Sequence, residues 1–257
     1  MKKVFITGAT DGLGFMAAEK LIEKGHQVIL HARNNAKGEI VLQKLPNAKA
    51  VVIGDLSSIS QTYEIAEAVN QLGTMDSVIH NAGVGFQEPY QETEDALPYV
   101  FAINSLAPYI LTCLINKPKR LIYTSSGMHQ QGDAELKDLF WKVKKWNAAQ
   151  AYSDTKLQNI LLAFAISKRW PDVFCNVVSP GWVATKMGGP HAPDDLEKAT
   201  ETQVWLSSSE EKEAKISGNF LYHKRPKSYL LAANDIQLQN RFMDYCESLT
   251  NIKLPNG

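Results

Sequence analysis

The chain has 257 residues, with 27 basic and 27 acidic side chains and a formal net charge of zero. That balance excludes a nucleic-acid or membrane-surface role resting on bulk charge, and no stretch approaches the about 18 apolar residues of a membrane-spanning helix. Three widely separated cysteines, Cys113, Cys175 and Cys246, make neither a disulfide framework nor a zinc site, and they suit a reducing cytoplasm.

The first strand is expected at Val4–Thr7, so near the start that no signal peptide is anticipated. It runs into Thr7-Gly8-Ala9-Thr10-Asp11-Gly12-Leu13-Gly14. In such a βα turn Gly8 permits a tight exit from the strand, Gly12 lets a diphosphate approach the backbone, and Gly14 lets the next helix pack closely. The amides opening that helix attract phosphate. A plain glycine-rich turn is the other reading. The helix at Leu13–Lys24 places Phe15, Ala18 and Ile22 near helical spacing and ends at Gly25, a C′ residue.

A second strand, Gln27–His31, continues as Ala32-Arg33-Asn34. Ala32 stands where NAD-binding turns carry a carboxylate for the ribose 2′-hydroxyl. Arg33 follows, and a guanidinium suits a 2′-phosphate, so NADP(H) is expected over NAD(H); the alternative is a solvated strand-end arginine. The third strand, Lys49–Ile53, leads to Gly54-Asp55-Leu56, where Asp55 is also a candidate helix cap, and a helix follows at Ser58–Leu72. The fourth strand, Ser77–His80, leads to Asn81-Ala82-Gly83. The segment Glu92–Ile115 has helical character, but Pro98 and Pro108 predict a kink or break, and Asn104 lies near it.

The fifth strand, Arg120–Thr124, precedes Ser125-Ser126. A long helix at Asn147–Arg169 carries Tyr152 and Lys156 one turn apart on one face. A nearby ammonium stabilises a phenolate and draws its pKa down from the ordinary value of about 10. A chance surface pair is the alternative. The sixth strand, Phe174–Val178, runs into Ser179-Pro180-Gly181-Trp182-Val183-Ala184-Thr185 and then a Gly- and Pro-rich segment, 186–195, with the look of a mobile substrate loop. A strand at Asn219–Tyr222 and a helix at Asp235–Leu249 complete the pattern. Near-continuous apolar strands alternating with helices predict one α/β domain, 1–257. Its doubly wound parallel sheet should have about seven strands with helices on both faces.

Taken together and in this order, Thr-Gly-x-x-x-Gly-x-Gly, Asn-Ala-Gly, the Ser doublet, Tyr-x-x-x-Lys and the Pro-Gly segment resemble the classical branch of the short-chain dehydrogenase/reductase family. The resemblance implies a dinucleotide held by Gly8, Thr10, Asp11, Gly12, Leu13 and Gly14. Asp55 and the Leu56 amide meet the adenine. Asn81, Ala82 and Gly83 lie beside the cofactor, and Pro180, Gly181, Val183 and Thr185 meet the nicotinamide carboxamide. Tyr152 becomes the proton donor or acceptor, and Lys156 its tuning partner and a ribose ligand. Ser126 holds the substrate oxygen, with Ser125 as fallback, and Asn104 organises a water in the proton relay.

Two positions depart from the family pattern. His80 replaces the first Asn of the strand-4 motif, and Asp11 stands where many NADP enzymes carry a basic residue. Ser126 lies 26 residues before Tyr152. That spacing resembles the retinol-dehydrogenase-like members, with Gln131–Lys145 as an insertion. Its Phe140 and Trp141, together with Trp146, either line an entrance or pack the insertion down. Trp182, Met187 and His191 are candidate substrate neighbours, and His129 a structural or pocket-rim residue.

The activity expected is hydride transfer between NADP(H) and a small-molecule carbonyl or alcohol substrate by a cytoplasmic homodimer or homotetramer with no metal, membrane or nucleic-acid partner. The alternatives are a non-catalytic dinucleotide sensor on the same fold and a double-bond reductase.

Overall fold

The computed structural model describes residues 1–86 and 88–256; Gln87 and Gly257, which the expected domain 1–257 includes, lie outside the described residues. One sheet holds β1 (Lys3–Ile6), β2 (Gln27–Ala32), β3 (Ala50–Ile53), β4 (Ser77–His80), β5 (Arg120–Thr124), β6 (Phe174–Val178), β7 (Phe220–Tyr222) and β8 (Arg225–Pro226). Their spatial order is β3-β2-β1-β4-β5-β6-β7-β8. The first seven pair in parallel and β8 runs antiparallel to β7. β4 and β5 are buried at every position, which follows from helices covering both sheet faces and suits their apolar centres, Val78-Ile79 and Leu121-Ile122.

The sheet has one more strand than the sequence pattern indicates. β8 is two residues long, pairs Tyr222 with Arg225 and Leu221 with Pro226, and follows a turn in which His223 and Lys224 both take positive φ. A strand this short carries no alternation to read, and its Pro226 is tolerable on a sheet edge.

The helices are α1 (Gly12–Glu23), α2 (Asn35–Lys44), α3 (Ile59–Gln71), α4 (Tyr99–Phe101), α5 (Ala107–Leu114), α6 (Ala148–Arg169), α7 (Leu196–Ala199), α8 (Glu201–Ser208) and α9 (Ile236–Thr250). The helical segment suspected over Glu92–Ile115 begins only after Pro98 and contains a π turn, Ala102–Leu106, between α4 and α5. Pro108 has no N–H to offer the Asn104 carbonyl one turn back, and such a missing bond favours a wider turn. The Ala107 amide accordingly bonds to Ala102 O, five residues back.

Two apolar layers sandwich the sheet. One joins Phe5, Ile29 and Tyr123 to α3, α5, α6 and α9; the other joins Val4, Ile6 and Leu30 to α1 and α8. The alternation of these partners along β1 is the two-residue period of a strand covered on both faces. β1 lies between β2 and β4, where the strand order reverses. A crevice forms beyond the carboxyl ends of strands at such a point.

Candidate active site

A cleft of about 390 Å³ opens at that reversal point, lined from the β1, β2, β3, β4, β5 and β6 exits. Gly8, Thr10, Asp11, Gly12 and Leu13 form one wall, with Arg33, Asp55 and Leu56 at the far end. Asn81, Ala82, Gly83, Tyr152, Lys156, Pro180 and Thr185 line the rest. Gly14, Asn104, Gly181 and Val183 are not among the lining residues. A Cβ on Gly14 would collide with the Gly8 carbonyl and sit 2.5 Å from Asn81 Nδ2, so glycine is what lets α1 start against the end of β1. Asn104 Oδ1 accepts from the Val84 amide (2.8 Å), while its Nδ2 donates to Val84 O (3.0 Å) and Thr155 Oγ1 (3.1 Å). Its side chain therefore ties the loop after β4 to α6. The side chain of Asp194 accepts from the Trp182 amide at 2.6 Å beside Gly181, and Val183 O accepts from the Thr185 amide at 2.8 Å.

The glycine turn fits a diphosphate. Asp11 at the α1 N-cap makes no side-chain cap bond, and no acid occupies the first turn. The helix amides are thus left open in a site of positive potential. Asn81 braces the turn, its Nδ2 donating to Thr7 O (3.1 Å) and Gly8 O (3.2 Å). Asp11 reaches away instead, to Lys186 Nζ at 2.9 Å and Lys37 Nζ at 3.9 Å. Arg33 is exposed, and its guanidinium lies 3.5 Å from the Tyr99 hydroxyl. Together Arg33, Lys37 and Lys186 supply cations around the one acid of the glycine turn.

At the opposite end Tyr152 is buried, with the half-buried Ser126 hydroxyl beside its phenol. Burial pushes the Tyr152 pKa up, opposed by the neighbouring Ser126 hydroxyl. The expected lowering by Lys156 does not prevail here. The Lys156 ammonium lies 5.3 Å from the Tyr152 ring centre and donates to Thr124 O at 3.2 Å, and its own burial holds it down to about 8. A Cβ on Gly83 would sit 3.3 Å from Lys156 Nζ, so the strand-4 turn closes directly over the lysine. Ser125 is not an equivalent of Ser126: it is buried and donates to Lys156 O at 2.7 Å, fixing α6 against β5.

Several subsidiary expectations resolve here. Asp55 does not cap α3. Ser58 does, while Asp55 accepts from the Ser57 amide at 2.9 Å. His80 is a core residue, stacked on Tyr123 at 4.6 Å and bonded to Thr112 at 3.2 Å, with burial lowering its pKa to about 3. His129 is structural: Nδ1 donates to Ser126 O at 2.6 Å and Nε2 accepts the Leu230 amide at 3.3 Å. His191 is exposed. The insertion aromatics pack, Phe140 on Phe101 at 5.8 Å and Trp146 on Trp141 and Tyr90 at 5.0 Å each.

One residue the sequence reading passed over is central. His31, buried at the end of β2, accepts the Gly8 amide at Nδ1 (3.0 Å) and donates from Nε2 to Gly54 O (2.9 Å). No spacing signals this role, since its partners lie 23 residues away on either side. Lys37 and Lys186 were missed for the same reason: they meet Asp11 only after α2 and the loop after β6 fold over the cleft.

Among the described residues no helix is long and apolar enough to cross a membrane. Residues 2–129 match the short chain dehydrogenase family. A solved structure from Mycobacterium paratuberculosis superposes with a TM-score of 0.84 at 25% identity, covering 99% of this chain and 95% of that one. Human retinol dehydrogenase 14 is 28% identical over 98% of this chain and 87% of its own length. Short-chain dehydrogenase chry4 of Gibberella zeae is 40% identical along 100% of both chains, and with a relative of that identity matching end to end around this cleft, the chain belongs to the short-chain dehydrogenase/reductase family.

Proposed function

We propose that the chain is a single-domain oxidoreductase that interconverts a carbonyl and an alcohol with NADP(H), using Tyr152 as acid and base. The observation that carries this reading is the Tyr152 phenol standing beside the Ser126 hydroxyl and one helical turn from Lys156 at the inner end of a dinucleotide-sized cleft.

The glycine turn and the open α1 amides hold the diphosphate, and Asp55 with the Leu56 amide holds the adenine. Asn81, Ala82 and Gly83 flank the dinucleotide, Lys156 and Tyr152 meet the ribose, and Pro180, Gly181, Val183 and Thr185 orient the carboxamide. Arg33 and Lys37 meet a 2′-phosphate, which Ala32 leaves unopposed by a carboxylate. When bound, the reduced nicotinamide supplies a hydride to the carbonyl carbon.

The Ser126 hydroxyl donates to the carbonyl oxygen and steadies its developing charge. Tyr152 gives that oxygen its proton, and the raised phenol pKa keeps the proton in place at neutral pH. Lys156, charged below about 8, then stabilises the phenolate left behind. The oxygen leaves as an alcohol, and the reverse sequence oxidises it.

A panel of ketones and secondary alcohols with deuterated NADPH and NADH tests the reading. The expected result is deuterium on the carbonyl carbon, with NADPH the more efficient donor. A saturated carbon–carbon bond beside an intact carbonyl would favour double-bond reduction, and tight cofactor binding with no turnover across the panel would favour a sensor.

A further inference from the structure

Phe86 (58%) and Met187 (51%) stand exposed at the cleft near Tyr152, and Trp182 (60%) is exposed on the same loop as Met187. The Phe86 ring meets the Tyr152 ring edge-on, 5.4 Å between centres. Met187 crosses from the loop after β6 to the loop after β4, its Cγ 3.0 Å from where a Cβ on Gly85 would lie. The Trp182 indole is tied to its own loop by a 2.8 Å bond from Nε1 to Gly188 O. Beyond Phe86 on the same loop, Tyr90 packs on Trp146, just before α6. Apolar side chains from two loops thus flank this end of the cleft, with Phe86 directly on the residue proposed to protonate the substrate.

Leaving such groups in water is unfavourable by about 25 cal/mol for each Å², and clustered exposure of this kind marks a binding surface. The cations at this end are engaged elsewhere: Lys156 is buried on Thr124 O and Lys186 is paired with Asp11. Asp194 is turned to the Trp182 amide. Neither lysine is therefore free to pair with a charged substituent beside the reacting carbonyl, and a third cation nearby, Lys227, lies over the Tyr222 ring.

We propose that the substrate is a bulky apolar ketone, or its alcohol, whose ring system lies between Phe86 and the Trp182–Met187 side of the mouth while its oxygen reaches Ser126 and Tyr152. The proposal rests on the carbonyl-reduction reading above. Small aliphatic ketones lack the surface to cover these side chains, and 2-oxo acids would desolvate a carboxylate against them.

Binding and turnover separate the two readings. Calorimetric titration of 2-acetylnaphthalene, 2-butanone and pyruvate into the NADPH-loaded Tyr152→Phe chain measures affinity without turnover, and the unaltered chain is assayed on the same compounds. The naphthyl ketone should bind at least about tenfold more tightly than either other compound. Phe86→Ser, made at an exposed position, should weaken naphthyl ketone binding by about tenfold while NADPH affinity and melting temperature hold, and Phe86→Leu should recover most of it.

Equal binding of the three compounds, tighter binding of pyruvate, or indifference to Phe86→Ser would overturn the apolar-substrate proposal even if carbonyl reduction is observed. Selective, Phe86-dependent binding of the naphthyl ketone without reduction of any of the three would support the apolar site and overturn the carbonyl-reduction reading instead.

Discussion

The imidazole of His31 accepts the amide hydrogen of Gly8 at Nδ1, 3.0 Å away, and so joins the glycine turn to the end of β2. Because Nε2 donates to Gly54 O, the ring is held neutral in one tautomer and also grips the exit of β3. Burial lowers its pKa, and the Gly54 bond opposes that shift.

His31→Leu leaves the Gly8 amide without its partner, a loss of about 1–3 kcal/mol. Calorimetry should show NADPH and NADH affinities falling together, since Gly8 serves the diphosphate common to both. The acid response has a definite sign. With the folded pKa below the ordinary 6.5, the contribution of His31 to stability is complete above pH 6.5 and is lost as pH falls through the folded value. Chemical denaturation across that window should show a decline in the unaltered chain that is smaller in His31→Leu.

Lys156 is a second buried base whose position opposes stability. Its pKa falls from 10.5 to about 8 through burial, so its stability contribution is complete above 10.5 and is lost as pH falls toward 8. At neutral pH the buried ammonium costs about 3 kcal/mol. Lys156→Met should therefore raise the denaturation midpoint of the cofactor-free chain at pH 7 while removing turnover. A lower midpoint would show that the Thr124 bond outweighs desolvation. In the unaltered chain, kcat/KM for reduction should fall as pH rises through about 8 and the ammonium supporting the phenolate is lost.

The sheet was legible because β1, β2, β4, β5 and β6 carry continuous buried runs, and β3 a short apolar stretch, and the Tyr152–Lys156 pair because helical spacing alone puts both on one face. α2 was not legible: only Gly38 and Val41 of its ten residues are buried, which leaves no stripe to detect. The π turn before Pro108 follows from proline chemistry, but its width depends on packing around Asn104. His31, Lys37 and Lys186 escaped because their partners arrive from distant segments. The phenol's raised pKa escaped because spacing reports a neighbouring ammonium and says nothing of the burial that outweighs it.

The proposed preference for NADP(H) rests on Arg33 and Lys37. A charge-assisted bond to a 2′-phosphate contributes about 1.5–3 kcal/mol. Arg33→Ala should weaken NADPH by about ten- to a hundredfold and leave NADH nearly unchanged. Lys37→Ala should act in the same sense, more weakly, because Lys37 also faces Asp11. Asp11→Asn should favour NADPH by removing the carboxylate that draws both Lys37 and Lys186. Calorimetric titration of each variant with both cofactors reads all three effects, and equal losses for NADPH and NADH in Arg33→Ala would remove the 2′-phosphate assignment.

The most direct measurement is single-turnover hydride transfer in Tyr152→Phe, with NADPH binding followed in the same samples. The phenyl ring keeps its packing against Phe86 and Lys156 and loses only the hydroxyl. If Tyr152 delivers the proton, the chemical step with any ketone the unaltered chain reduces should slow by about 10²–10⁴-fold while NADPH affinity changes little. A variant that transfers hydride to the ketone at the parental rate, with chemistry limiting, would contradict the account.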